Sequence, residues 1–504
     1  MLKTRWILQF SCFLVLGTLA MYAIGSLHSS GAMILALSAP LAVLVLPAAL
    51  RQAAGRIGRL VRSLTWWQGL WLLLFLSDFV FRQRTDKDIR GSPIDAAALY
   101  RIALVGITAT VLAARLAVKR PPWLGSLFRG LVGALMCYCG ISVISTLWSV
   151  YPAWTLYKSL EYLVDVALLA AILATVCSAR EYDNLFNLTW ALYGLLLMSV
   201  WLGALVWPRE AWRSDIGVLG PQLYGVLPAI DANSVGEYGA IVAIVSLRGL
   251  LLPVNGKSNR AWYGLACTFG LTALLLSQTR SAIAGFLVGA VLVLLFSKGK
   301  GLTTLVLSGA ATLIGVGGVG SLLWEFVLRG QSPELFQSLS GRVDWWEFGW
   351  QQFLKSPLTG LGAYTARFEV LAKLGGEADT SSIHNSFLEV VLGVGILGLI
   401  PVLVALLGTW WVLIRSLRSS SLESFERGIA VEALGVLAVV SVRSLFTAHL
   451  IWHPSLQFLV VLGYAEFLRR RLKHPREHAR LLVHYGTAGE RSAASFQSGL
   501  AGID

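Results

Sequence analysis

Three arginines and one histidine are the side chains in this sequence best placed to do chemistry. Arg213 lies in Trp212-Arg213-Ser214-Asp215, Arg280 in Leu276-Ser277-Gln278-Thr279-Arg280-Ser281-Ala282, and Arg342 in Ser340-Gly341-Arg342-Val343-Asp344-Trp345-Trp346. A guanidinium keeps its charge at any relevant pH, and its planar fork matches phosphate oxygens two at a time. Three of them converging would clamp a diphosphate. Each also has a plainer reading: Arg280 as an interfacial anchor, Arg213 and Arg342 as solvated loop charges. His384 opens Ile383-His384-Asn385-Ser386-Phe387-Leu388-Glu389, where a polar loop gives way to an apolar run. Imidazole is the group best suited to proton transfer near neutral pH. Its plainer reading is a capping or interfacial residue. Glu389, five residues on, is a loose candidate for orienting the ring.

The elements that must hold these residues are membrane spans. Of 504 residues 56% are hydrophobic and 13% charged, whereas charged residues make up about a quarter of soluble domains. A span needs roughly 20 mostly apolar residues. Such runs occur near 6–26, 31–50, 64–81, 99–118, 130–150, 156–178, 185–207, 234–253, 261–279, 281–297, 302–323, 386–414, 428–447 and 454–468. The expected fold is all-α and polytopic, with about 12–14 transmembrane helices and a large outer loop at 324–383. The first run follows Lys3 and Arg5 without a convincing cleavage site and reads as a retained span.

The net charge of +14 sits in short loops between spans rather than in a basic stripe on a soluble domain, which argues for orientation and against nucleic acid. With the N-terminus inside, the cytoplasmic loops carry Arg51, Arg56, Arg59 and Arg62, then Lys119, Arg120 and Arg129, Arg180, Lys257 and Arg260, Lys298 and Lys300, and Arg415, Arg418 and Arg427. Arg469, Arg470 and Arg471 follow the final span, so both termini are expected in the cytoplasm. The loop from Arg82 to Arg90 dissents, with four basic residues on the outside. Two outer segments are long, about 208–230 and 324–383, and the second spaces Trp345, Trp346, Phe348 and Trp350 as an amphipathic helix would. Gly315, Gly317, Gly318 and Gly320 would allow close helix contact. All five cysteines fall inside spans, and Cys137 and Cys139 face different sides of a helix. The tail beyond about 475 loses periodicity and is expected to be disordered.

Read in order, Asn233-Ser234-Val235-Gly236, Ser277-Gln278-Thr279-Arg280-Ser281, Gly341-Arg342 with Trp346, Ser356-Pro357-Leu358-Thr359-Gly360-Leu361-Gly362, His384-Asn385-Ser386-Phe387-Leu388 and Gly393-Val394-Gly395-Ile396-Leu397-Gly398 form a pattern. Their order, spacing and common sidedness resemble the O-antigen ligase and polysaccharide polymerase superfamily of bacterial inner membranes. The resemblance is strongest over about 205–410. It implies four regions: N-terminal spans 1–204, a ligase-like region 205–414, C-terminal spans 415–468 and a tail 469–504.

The resemblance further implies a metal-independent, inverting glycosyltransferase with no cofactor. It would move a glycan from a polyprenyl-diphosphate carrier to an acceptor hydroxyl on the periplasmic side. The catalytic roles fall on His384, Arg342 and Arg280. Arg213, Asn233, Asn385 and Glu389 become the expected substrate-binding residues, Arg213 in a loop that departs from the family's usual Gly-rich approach. The expected partners are the lipid-linked donor, a glycan or lipid A core acceptor, membrane lipids, and a chain-length regulator or other polysaccharide-assembly proteins. Ligase and polymerase share donor and leaving group, so the same residues serve both.

Two other classes compete. A transporter or flippase would use ionisable residues inside spans, here Asp78, Lys158, Glu161, Asp165, Glu237, Glu432 and Arg443. Lys158 and Glu161, three apart, could simply neutralise each other, and the two halves of the chain show no clear repeat of the kind many transporters carry. A metal enzyme would use His449 and His453, four apart, but no nearby carboxylate or cysteine in the sequence completes a ligand set.

Overall fold

The computed structural model describes residues 65–79, 95–118, 124–213, 220–252, 260–298, 342–371, 382–419 and 422–473. The apolar runs at 6–26, 31–50 and 302–323, the basic loops at 51–62 and 82–90, the glycine run at 315–320 and the tail beyond 473 lie outside the described residues. Twelve helices of ten residues or more occur among those described: α1 (Trp66–Ser77), α2 (Ala96–Val118), α3 (Gly130–Ile144), α4 (Pro152–Thr175), α5 (Ala179–Val206), α6 (Ala232–Leu251), α7 (Arg260–Leu276), α8 (Arg280–Lys298), α9 (Arg342–Lys355), α10 (Ser386–Arg418), α11 (Ser424–Ser444) and α12 (Leu456–Lys473). Six stretches, Ala96–Arg115, Gly130–Leu147, Ala179–Val206, Ala232–Leu251, Arg280–Ser297 and Ser386–Arg418, are long and apolar enough to cross a bilayer. The protein is a polytopic, mostly helical membrane protein.

Every apolar run that falls on described residues became a helix, because inside lipid only an internally hydrogen-bonded backbone is tolerated. Among the described residues a small β ribbon departs from all-α: Trp212–Arg213 pairs antiparallel with Gln222–Leu223, and Gly225 bridges to Ile230, in the loop after α5. Helices α11 and α12 are buried along most of their length and form the centre. α10 presents Leu397, Ile400, Val404, Leu407 and Trp411 outward, as a lipid-facing stripe does. The amphipathic pattern at 342–355 is helical as read. Its buried Gly349, Gln352 and Phe353 line one side, with Gly349 close to Leu388 and Leu392 of α10, while Trp350 and Leu354 stay exposed.

The two glycine motifs of the sequence interlock. Within α10, Val394 and Gly395 leave helical geometry, with Gly395 at φ +63°. The freed groups pair with the segment after α9: Leu361 N donates to the Leu392 carbonyl at 2.8 Å, Gly362 N to Gly393 at 2.8 Å, and Ile396 N to Pro357 at 2.9 Å. A side chain at Gly360 or Gly395 would collide with the facing backbone, which explains why glycine stands at both. This clasp fixes α9 and the loop behind it to α10, at whose start His384 lies.

Candidate functional site

His384 is held from three sides. Asn385 caps α10, its Oδ1 accepting from Phe387 N and Leu388 N at 3.0 Å each. Trp346 Nε1 donates to the Ile383 carbonyl at 2.9 Å. The Trp345 ring lies near-parallel to the imidazole, 6.2 Å between centroids. His384 itself adopts φ +55°, a left-handed conformation that costs a non-glycine residue of order 1–2 kcal/mol. Such strain persists only where the surroundings over-determine it. Arg342, the first residue of α9, donates from Nη1 to the Phe446 carbonyl at 3.5 Å, and Ser386 Oγ donates to the next carbonyl, Thr447, at 2.6 Å.

Arg280 begins α8 at a turn that the local sequence builds tightly. Gln278 sits at φ +49° and donates from Nε2 to the Gly220 carbonyl at 2.7 Å, while Gln222 Nε2 donates to the Ser277 carbonyl at 3.0 Å. Thr279 Oγ1 donates to the Ala232 carbonyl at the start of α6, 2.9 Å away. Gly236 allows that approach: a Cβ there would meet Thr279 Cβ at 2.7 Å. The Asn-Ser-x-Gly and Ser-Gln-Thr-Arg motifs are therefore two sides of one contact.

Arg443, at the end of α11 and 1% exposed, ties these parts together. Its Nε lies 3.2 Å from Glu237 Oε2, its Nη1 donates to Ser281 Oγ at 2.6 Å, and its Nη2 donates to the Asn233 carbonyl at 3.2 Å. Glu237 is shared: His449 Nδ1 lies 3.1 Å from the same Oε2, and Gln457 Nε2 donates to Oε1 at 2.9 Å. Tyr193 Oη donates in turn to Gln457 Oε1 at 2.6 Å.

The starts of α6, α8, α9 and α10 are thus all fastened to the end of α11 and the segment after it. Helix N-termini carry partial positive charge and unpaired N–H groups, and here Arg280, Arg342 and Arg443 add full charges. An anion is what such a rim attracts. The electrostatics of His384 register it: burial, then the Arg342 guanidinium, with His449 and Arg443 adding, push its pKa down to about 3 against the opposing pull of Asp231. The ring is neutral at pH 7. His449 moves the other way; burial disfavours its charge, but the hydrogen bond and charge of Glu237 override that and raise its pKa above the ordinary 6.5.

The residues singled out in the sequence separate into groups. Arg342 acts directly on His384, and the Asn233 backbone and Ser281, the residue after Arg280, both meet Arg443. Asn385 spends its side-chain oxygen on the α10 cap, and Asn233 Nδ2 lies 3.5 Å from Asp231 Oδ2. Glu389 is 1% exposed, with no hydrogen bond to His384. Arg213 is exposed on the β ribbon, donates from Nε to the Glu210 carbonyl at 2.7 Å and stacks over Tyr224, and among the described residues no hydrogen bond joins it to the other arginines.

Arg443, Glu237 and His449 were not legible as site residues. The first two stood out only as charges within spans, and His449 only by its spacing from His453. The four-residue spacing does not put those two imidazoles together, because 445–455 is a run of turns rather than a helix. His453 instead meets Asp165 Oδ1 at 2.7 Å and Ser77 Oγ at 2.7 Å. Among the described residues no cluster of three or more His, Cys, Asp or Glu could hold a metal. Of the other in-span charges singled out in the sequence, Lys158 pairs with Glu161 at 2.7 Å, Asp78 with Arg101 at 3.0 Å, and Glu432 with Arg248 at 3.6 Å.

Residues 265–403 match the sequence model of a protein family described as O-antigen ligase. The matched segment contains Arg280, Arg342, His384, Asn385 and Glu389, and ends before Arg443 and His449. No curated protein matches the chain.

Proposed function

Taking as premise that this chain carries an O-antigen ligase domain, in a family whose members transfer glycans, we propose that it is an inner-membrane glycosyltransferase acting on a polyprenyl-diphosphate-linked glycan. The observation that carries the proposal is the placing of Arg280, Arg342 and His384 at the starts of three helices that Arg443 and the segment after it, at the end of α11, fasten into one rim of the bundle. The rim faces the periplasm in this reading. Arg415, Arg418 and Arg427, which the positive-inside rule assigns to the cytoplasm, belong to the opposite end of α10 and the start of α11.

A glycan on a lipid diphosphate already has a good leaving group. The enzyme must stabilise charge developing on the phosphate, align the acceptor and take up a proton. Arginines in a water-poor rim supply the first, and removing one such donor typically costs about 10²–10³ in rate. His384 supplies the last, accepting the acceptor hydroxyl proton as its oxygen attacks the anomeric carbon. The diphosphate also favours its own base: its negative charge offsets the part of the depression that the Arg342 guanidinium adds to that of burial. His384 is then a better proton acceptor with donor bound than without it. A single displacement of this kind inverts the anomeric configuration and needs no metal.

The test incubates purified protein with a polyprenyl-diphosphate glycan and separate acceptors. Transfer to lipid A core identifies a ligase, and a ladder of lengthening lipid-linked glycan identifies a polymerase. Absence of both overturns the proposal. Net retention at the anomeric carbon overturns the single-displacement mechanism.

A further inference from the structure

The rim holds a second imidazole whose charged neighbour is a carboxylate rather than a guanidinium. His449 lies in the turn segment whose Phe446 and Thr447 carbonyls accept from Arg342 and Ser386, so it belongs to the same wall. Its Nδ1 is engaged by the Glu237 carboxylate, which is 1% exposed, while 39% of the His449 side chain remains accessible. A buried carboxylate fixing one nitrogen of a partly exposed ring is an arrangement that orients an imidazole for proton transfer. The glycan transfer proposed above leaves this residue without a task.

We propose that His449, oriented by Glu237, is the general acid of the transfer and donates its Nε2 proton to the diphosphate oxygen released from the anomeric carbon. The inference rests on the proposed transfer reaction. The balance is complete: the acceptor O–H proton passes to His384, the acceptor oxygen forms the new bond to the anomeric carbon, and the old C–O bond breaks with its electron pair on the phosphate oxygen. That oxygen takes the His449 proton. Both imidazoles then reset by exchange with water.

Division of labour follows from what faces each ring. His384 is set among Arg342, Arg443 and His449, with Asp231 the opposing charge. His449 faces Glu237 from α6 and Asp231 at the α6 cap, against Arg443 from α11. Two titratable groups whose surroundings push them apart mark an acid and a base. A phosphate oxygen whose last proton is held near pH 6 is matched to an imidazolium donor.

The experiment measures kcat for glycan transfer between pH 5 and 10 for the wild type, His449→Gln and Glu237→Gln in proteoliposomes, with donor KM at each pH. Wild-type kcat is expected to fall at high pH as His449 loses its proton. H449Q is expected to lose about 10²–10⁴ in kcat, to keep its donor KM within a few-fold, and to lack the alkaline limb. E237Q is expected to retain the limb but move it to lower pH, a shift that a purely structural role would not produce. H449Q with near wild-type kcat and an unchanged limb overturns this inference alone, as does an E237Q limb that stays in place. A wild type that transfers no glycan overturns the functional reading and this one with it.

Discussion

Replacing Arg443 by Met keeps most of the side-chain volume and removes the charge. In the native protein the guanidinium reaches Glu237, Ser281 and the Asn233 carbonyl from a position 1% exposed to solvent. Without it, the Glu237 carboxylate keeps His449 and Gln457 but loses its buried counter-charge. Orphaning one member of a buried ion pair costs about 3–5 kcal/mol, and the lost links to α8 and the start of α6 add to the same event rather than independently. The expected loss of unfolding free energy is therefore about 4 kcal/mol, read by tryptophan fluorescence during denaturation in mixed micelles. Because much of the cost is that of a carboxylate left without its buried cation, Arg443→Met combined with Glu237→Gln is expected to recover more than half of it. R443M within about 1 kcal/mol of wild type, or a double variant no more stable than R443M, would refute the reasoning.

The remaining expectations are checked by transfer assays and stability measurements. Arg280→Ala, Arg342→Ala and His384→Ala each lower transfer by about 10²–10⁴ while leaving membrane insertion intact, and Arg→Lys at 280 or 342 restores little because an ammonium lacks the bidentate fork. Gly395→Ala forces an L-residue to φ +63° against the Leu358 backbone, so it is expected to cost at least about 1–2 kcal/mol and to lower transfer by loosening the clasp; a neutral result by thermal unfolding contradicts the clasp. The His384 pKa is lowered in the folded state, from 6.5 to about 3. Stability of the donor-free protein is therefore expected to be full above pH 6.5 and to decline as pH falls toward 3, since the unfolded chain binds the proton more readily. Arg342→Gln shortens that window from its acidic end, which an imidazole NMR titration would show.

The spans were legible because lipid permits few alternatives: a run of apolar residues such as 234–253 has to be a helix, and α6 is one. The order of the motifs was legible too, and so was the helical spacing of Trp345, Trp346 and Trp350. Their meeting in space was not. The clasp pairs residues 357–362 with 392–396 through backbone groups, which leave no mark in the sequence beyond glycines of several alternative uses. Asn385 looked like a polar site residue and serves as a cap, a role shared by the same residue type at countless helix starts. Arg443 was hidden because a lone arginine near the end of an apolar run reads equally as an anchor. His449 was hidden because a four-residue spacing from His453 implies one face only on a helix, and the backbone there turns instead. Arg213 shows the reverse: its type and loop fitted the clamp, yet it meets Glu210 and Tyr224, both local.

Glycan transfer as proposed requires the clamp and the imidazole to share the outer face of the membrane. The direct measurement places single cysteines at 280, 342 and 384 in a protein otherwise free of cysteine and labels intact cells with a membrane-impermeant maleimide. All three positions are expected to react from outside, with protection when a polyprenyl diphosphate is added. Labelling of position 384 from one side of the bilayer and of 280 or 342 from the other would contradict it.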